Sequence, residues 1–144
     1  MTAIDDDDGR EIYNVVLMMH HPSERLDRIT SELGMERHHG WQAGEPRSTP
    51  KGTALPGTYK DTYWGHSDEI KGHRKFFETV MELLEKLEAA SEYVMNLSSS
   101  GGRISLIVHL PGHTNIGDVI KPADLMRIGR LGVELGVEVF PQMT

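Results

Sequence analysis

Apolar and polar positions along this chain change period several times, and each change marks an element. The run "EIYNVVLMMHH" is almost continuously apolar from Ile12 to Met19, the pattern of a strand buried on both faces and central in a sheet. In "HPSERLDRITSELG", Leu26, Ile29 and Leu33 fall at helical spacing. Pro22 suits a helix's first turn, and Gly34 can take the left-handed conformation that ends a helix. Two strands are expected next, "MERHHGWQA" and "TYKDTYWGH". Between them "GEPRSTPKGTALPG", with three prolines and three glycines, predicts a long irregular surface loop.

After Gly72 the stripe Phe76, Val80, Leu83, Leu87, Ala90, Val94 and Leu97 keeps a period of 3.6 and predicts one long helix, stopped by "SSSGG" at Ser98 to Gly102. "RISLIVHL" then alternates Ile104, Leu106, Val108 and Leu110 on one face of a strand. "KPADLMRIGRLG" predicts a helix with Leu125, Ile128 and Leu131 inward, and "VELGVEVF" a last strand.

The resulting order β-α-β-β-α-β, followed by an added α-β, predicts an α+β protein of the ferredoxin-like, split β-α-β kind. Its sheet is expected to be mainly antiparallel, with helices on one face. The first strand would lie between the third and the fourth, and the second outside the third.

Composition narrows the rest. A chain of 144 residues fits one domain that buries roughly 68–70% of its unfolded surface. Residues 1–10 read as a disordered acidic N-terminus and 11–144 as a single α+β domain. The run Asp5 to Asp8 before Gly9 does not make a calcium loop, because the positions for the first ligand and the bidentate glutamate hold Ile4 and Val15. No apolar run approaches the ~20 residues of a membrane span, and the acidic start carries no export signal. The expected setting is the cytoplasm, with no membrane partner. With no cysteine, disulfides and thiolate chemistry are absent. A net charge of −7 and a pI near 5.6 oppose a phosphate backbone, so no nucleic-acid partner is expected.

Several features together carry a likeness: a short first helix ending "LG", a loop of the type "GEPR…G…G" leading to a strand with Trp64, a long leucine-rich helix, and the C-terminal "LMRIGRLGVELGVEVF". Over residues 12 to 140 the chain resembles the bacterial domain of unknown function 4279 family. The resemblance implies no established reaction or cofactor, and so no catalytic residue.

Eight histidines stand out. Neither HExxH nor GxSxG occurs, and the catalytic residues are unknown from sequence. In the expected sheet, His38, His39, His66 and His109 share one edge, with Asp68, Glu69 and His113 in adjoining loops, while His20 and His21 go to the opposite edge. Three imidazoles and a carboxylate would suit zinc or another divalent ion, and an open position on it could activate water. Trp41 and Trp64 are candidates to flank a binding pocket. Ser98, Ser99 and Ser100 follow a helix rather than open one, so they read as a helix stop and not an anion nest.

The leading expectation is a small cytoplasmic binding or interaction domain without catalysis and without a cofactor, its partner an unknown protein or small molecule. The alternative is a divalent-metal-binding protein or metal-dependent hydrolase using the shared histidine edge. A last strand this apolar is expected either to be covered by a helix or to pair two subunits into a homo-oligomer.

Overall fold

A computed structural model describes residues 13–70, 75–113 and 115–141. The acidic segment 1–10 and His73 lie outside the described residues. The elements are β1 (Asn14–His21), α1 (Leu26–Leu33), β2 (His39–Trp41), β3 (Pro46–Ser48), β4 (Ala54–Thr58), β5 (Thr62–Glu69), α2 (Phe76–Ala89), α3 (Ser91–Ser99), β6 (Arg103–Pro111), α4 (Pro122–Arg130) and β7 (Val133–Phe140).

The protein is α+β, with a mixed, mostly antiparallel sheet in the order β2-β5-β1-β6-β7. The most apolar strand, β1, lies at its centre between β5 and β6, antiparallel to both. Among the described strands only the last pair, β6 with β7, is parallel, as a crossover through α4 requires. No described helix is long and apolar enough to cross a membrane.

Register decides which side chains meet, because residues directly opposite one another share a face of the sheet. Met19 lies opposite Trp64 and Ile104, Leu17 opposite His66 and Leu106, and Val15 opposite Asp68 and Val108. This face carries the core. Val15, Leu17, Trp64, Leu106 and Val108 are wholly buried there with Ile29 of α1, Val80, Leu83, Leu84 and Leu87 of α2 and Val94 of α3, and Ile128 of α4 is nearly so.

The structure departs from the periodicity at four places. The long helix is two, because Ala90 leaves helical geometry at φ −116°, ψ 35°. No glycine or proline marks the break. Leu87 and Val94 are both fully buried on either side of it, so packing on the sheet bends the chain while the apolar stripe runs on. The proline-rich loop contains a hairpin, β3 with β4. Pro46 begins one of its strands, a position that needs no ladder donor, and a two-stranded ribbon is all edge and so tolerates Pro56. Its turn is closed by Thr49 N–H to the Thr53 carbonyl at 2.8 Å. On α4, Leu125 is exposed rather than inward, and burial falls to Ile128 and Leu131. The first helix starts at Leu26, so Pro22 lies in the bend ahead of it and not in its first turn, while Gly34 ends it at φ +64° as expected.

One distant residue fixes the start of α2. Its cap position, Lys75, makes no side-chain bond to the helix. Asp118, from the loop before α4, instead accepts the N–H of Phe77 at 3.0 Å and that of Val119 at 2.7 Å. A carboxylate here satisfies an orphan donor and opposes the positive end of the helix.

Candidate functional site

The face of the sheet away from the core carries a row of rings. Trp41 of β2 lies opposite Tyr63 of β5, Tyr63 opposite His20 of β1, and His20 opposite Arg103 of β6. Gly40 sets the first pairing: its φ is +146°, and a Cβ there would collide with the carbonyl oxygen of Tyr63. Gly65 sets the lie of the middle ring, since a Cβ on it would come within 2.7 Å of the Tyr63 hydroxyl. The phenol therefore extends along its own strand over Gly65.

The rings are in contact. Tyr63 stacks on His20 with centroids 4.8 Å apart at 19°, and meets Trp41 at 4.9 Å and 55°. Tyr59, from the turn before β5, stacks on the other side of Trp41 at 4.9 Å and 9°. Asp61 binds the two rings that flank Tyr63: one carboxylate oxygen takes the His20 Nδ1–H at 2.9 Å, the other the Trp41 Nε1–H at 3.4 Å. Burial raises the Tyr63 phenol above its ordinary pKa, as expected for a group whose charged form would lose hydration. Beside Trp41 and Tyr59 a cleft of about 420 Å³ is lined by Arg47, Pro56, Gly57, Lys60 and Asp61. It lies between the sheet and the β3–β4 hairpin.

The histidines expected on one edge do not converge. His66, only 7% exposed, lies on the core face. His39 is opposite Gly65 and His109 opposite Asn14, which puts both on the other face. Edge position alone does not bring side chains together, because the pleat sends neighbours to opposite sides. His38 does reach His66, the rings stacking at 4.7 Å and 23°. Their nitrogens are engaged: His66 Nδ1 with the Glu36 carbonyl at 2.6 Å and Nε2 with Asp68 at 3.0 Å, while His38 Nδ1 accepts the Ser67 N–H at 2.9 Å. Among the described residues no three of His, Asp or Glu are grouped so as to hold a metal ion.

The tryptophans also separate. Trp64 is fully buried on the core face, donating to Thr30 Oγ1 at 2.9 Å. Trp41 alone belongs to the cleft. The serine stop behaves as one, since Ser100 caps α3 and its N–H reaches the Asn96 carbonyl at 3.0 Å. His21 touches Ser100 Oγ at 2.8 Å, but its Nδ1 accepts the amides of Ser23 and Glu24. The hydrogen is therefore on Nε2, the serine accepts it, and its own hydroxyl donates to the Asn96 carbonyl. A histidine that donates does not activate a nucleophile.

Sequence reasoning missed His20, Tyr59, Asp61 and Tyr63 as a group. Its signal is the stretch "YKDTYW", in which a carboxylate stands one residue ahead of an aromatic strand. Its partners become visible only with the strand register. In comparison with known proteins, the chain matches no family model, no curated protein and no solved structure.

Proposed function

We propose that this chain is a small cytoplasmic binding domain without catalysis of its own, and that its ligand sits on the Trp41 face of the sheet. One observation carries the reading: a single carboxylate, Asp61, holds the indole and the imidazole that lie on either side of Tyr63 in a row of ring contacts. Rings fixed before a ligand arrives lose little freedom on binding, which favours affinity. The core does not need this row, as its rings lie on the opposite side from Trp64. The cleft's aromatic wall with Arg47 and Lys60 beside it suits a peptide or small molecule that offers a flat apolar surface next to an anionic or hydrogen-bond-accepting group. Within the described residues, His20 and Asp61 form a dyad with no serine or threonine hydroxyl bonded to it, which supports binding rather than acyl transfer.

The strand order supports a ferredoxin-like, split β-α-β core extended by α4 and β7. The resemblance to the domain of unknown function 4279 family is part of the same proposal.

An NMR screen of a fragment and peptide library against uniformly labelled protein tests it. Hits should shift the indole resonance of Trp41 and leave that of Trp64 in place, and Trp41→Ala should lose them while remaining folded. Hits that map to the helices, or that bind Trp41→Ala as well as the parent, would overturn the reading.

A further inference from the structure

Among the described strands, β7 ends the sheet and pairs only with β6. A bare edge of eight residues is a template for another strand, and proteins usually blunt such edges with proline, lysine or charges aimed outward. β7 has no proline or lysine, and both of its charges are drawn inward. Glu134 takes the Arg103 Nε–H at 2.8 Å and the Ser105 hydroxyl at 2.7 Å, and Glu138 lies 3.3 Å from His109 Nε2, all on β6. On the core face, α4 covers Val133 but leaves Val137 and Val139 each 54% exposed, and its own Leu125 and Met126 are exposed too.

We infer that β7 pairs antiparallel with β7 of a second copy of this chain, the twofold axis passing through Val137. Such an axis, perpendicular to the sheet, keeps the same face up in both copies, so residues opposite one another have numbers that sum to twice the central one. Centring on Gly136 sets Glu134 against Glu138 twice, and centring on Glu138 sets it against itself; like charges directly opposite are destabilising. Centring on Leu135 avoids this but pairs a shorter stretch of the strand. With Val137 at the centre, Val137 faces Val137, Leu135 faces Val139, Glu138 faces Gly136 and Glu134 faces Phe140. Leu135, Val137 and Val139 of the core face then meet one another, and no two charges oppose.

The chain's lack of cysteine makes the register directly readable. Light scattering at micromolar concentration should give twice the chain mass of 16.2 kDa. Under mild oxidation Val137→Cys should form a disulfide-linked pair, because opposite residues come within reach of a disulfide, whereas Leu135→Cys should stay single. Val137→Lys, at a half-exposed position, should fold and run at the single-chain mass. A parent protein of single-chain mass, cross-linking through residue 135 in place of 137, or a pair that survives Val137→Lys would each overturn the inference.

Discussion

The indole of Trp64 donates its Nε1–H to the hydroxyl of Thr30 at 2.9 Å, joining a wholly buried ring on β5 to the middle of α1. Thr30→Val keeps the shape and removes the acceptor, leaving a buried donor unpaired, so it should cost about 1–3 kcal/mol. Trp64→Ala should cost about 3–5 kcal/mol through the cavity it leaves. Urea titration of both variants checks the order, and equal losses would show that the hydrogen bond and not the ring volume dominates.

His66 is expected to matter for stability. Its two ring nitrogens are engaged by the Glu36 carbonyl at 2.6 Å and the Asp68 carboxylate at 3.0 Å. His66→Ala empties a buried position and frees the segment between α1 and β2. A loss of about 2–4 kcal/mol is expected, measured by thermal or urea unfolding. Asp68→Asn should lose less, since the carbonyl contact remains.

Asp118→Ala removes the carboxylate that caps α2 from a remote loop. The cost expected for a lost cap is about 0.5–2 kcal/mol. Amide exchange at Phe77 should also rise more than at Leu87, because only the first turn loses its partner; uniform exchange along α2 would refute the capping role.

Acid should loosen the β6–β7 pair through Glu134. The hydroxyl of Ser105 and then the guanidinium of Arg103 hold this carboxyl below its ordinary range. A depressed carboxyl contributes stability that is present above its unfolded pKa and is lost as the pH falls through the folded one. Glu134→Gln should therefore be less stable than the parent at neutral pH, by less than about 1 kcal/mol for so exposed a pair, and the two should converge in acid. Chemical denaturation across that pH range provides the measurement.

At the alkaline end, two phenols should ionise late. Tyr63 is raised by burial. Tyr93 is raised further, by burial first and then by its 2.8 Å hydrogen bond to Glu24. Following tyrosinate absorbance, Glu24→Gln should bring one transition down and leave the Tyr63 transition unchanged.

Much of the fold could be read from burial patterns because a buried face imposes a period. β1, β6 and the stripe from Phe76 to Leu97 show it plainly, and their neighbours follow from connectivity. The hairpin β3–β4 was hidden because every residue of both strands is exposed, so no apolar alternation exists to reveal it. The bend at Ala90 was hidden because tertiary packing causes it, not local chemistry. The site was the least legible part. His66 and His39 differ by one step of the pleat relative to their partners, and that step sends them to opposite faces. Trp41, Tyr63, His20 and Asp61 come from three segments whose meeting depends on a register that no spacing within one segment encodes.

The central position of β1 also bears on how the chain is made. β1 needs Thr62–Glu69 on one side and Arg103–Pro111 on the other. During synthesis its apolar run leaves the ribosome well before either partner exists, and the innermost strand cannot be flanked on both sides until most of the chain has emerged. Pairings so distant in sequence form slowly and leave sticky strands exposed meanwhile. Refolding should accordingly be slower than for a helical bundle of this length, and truncation before β6 should yield a product that aggregates, because the strand at the heart of the sheet would then present a bare side.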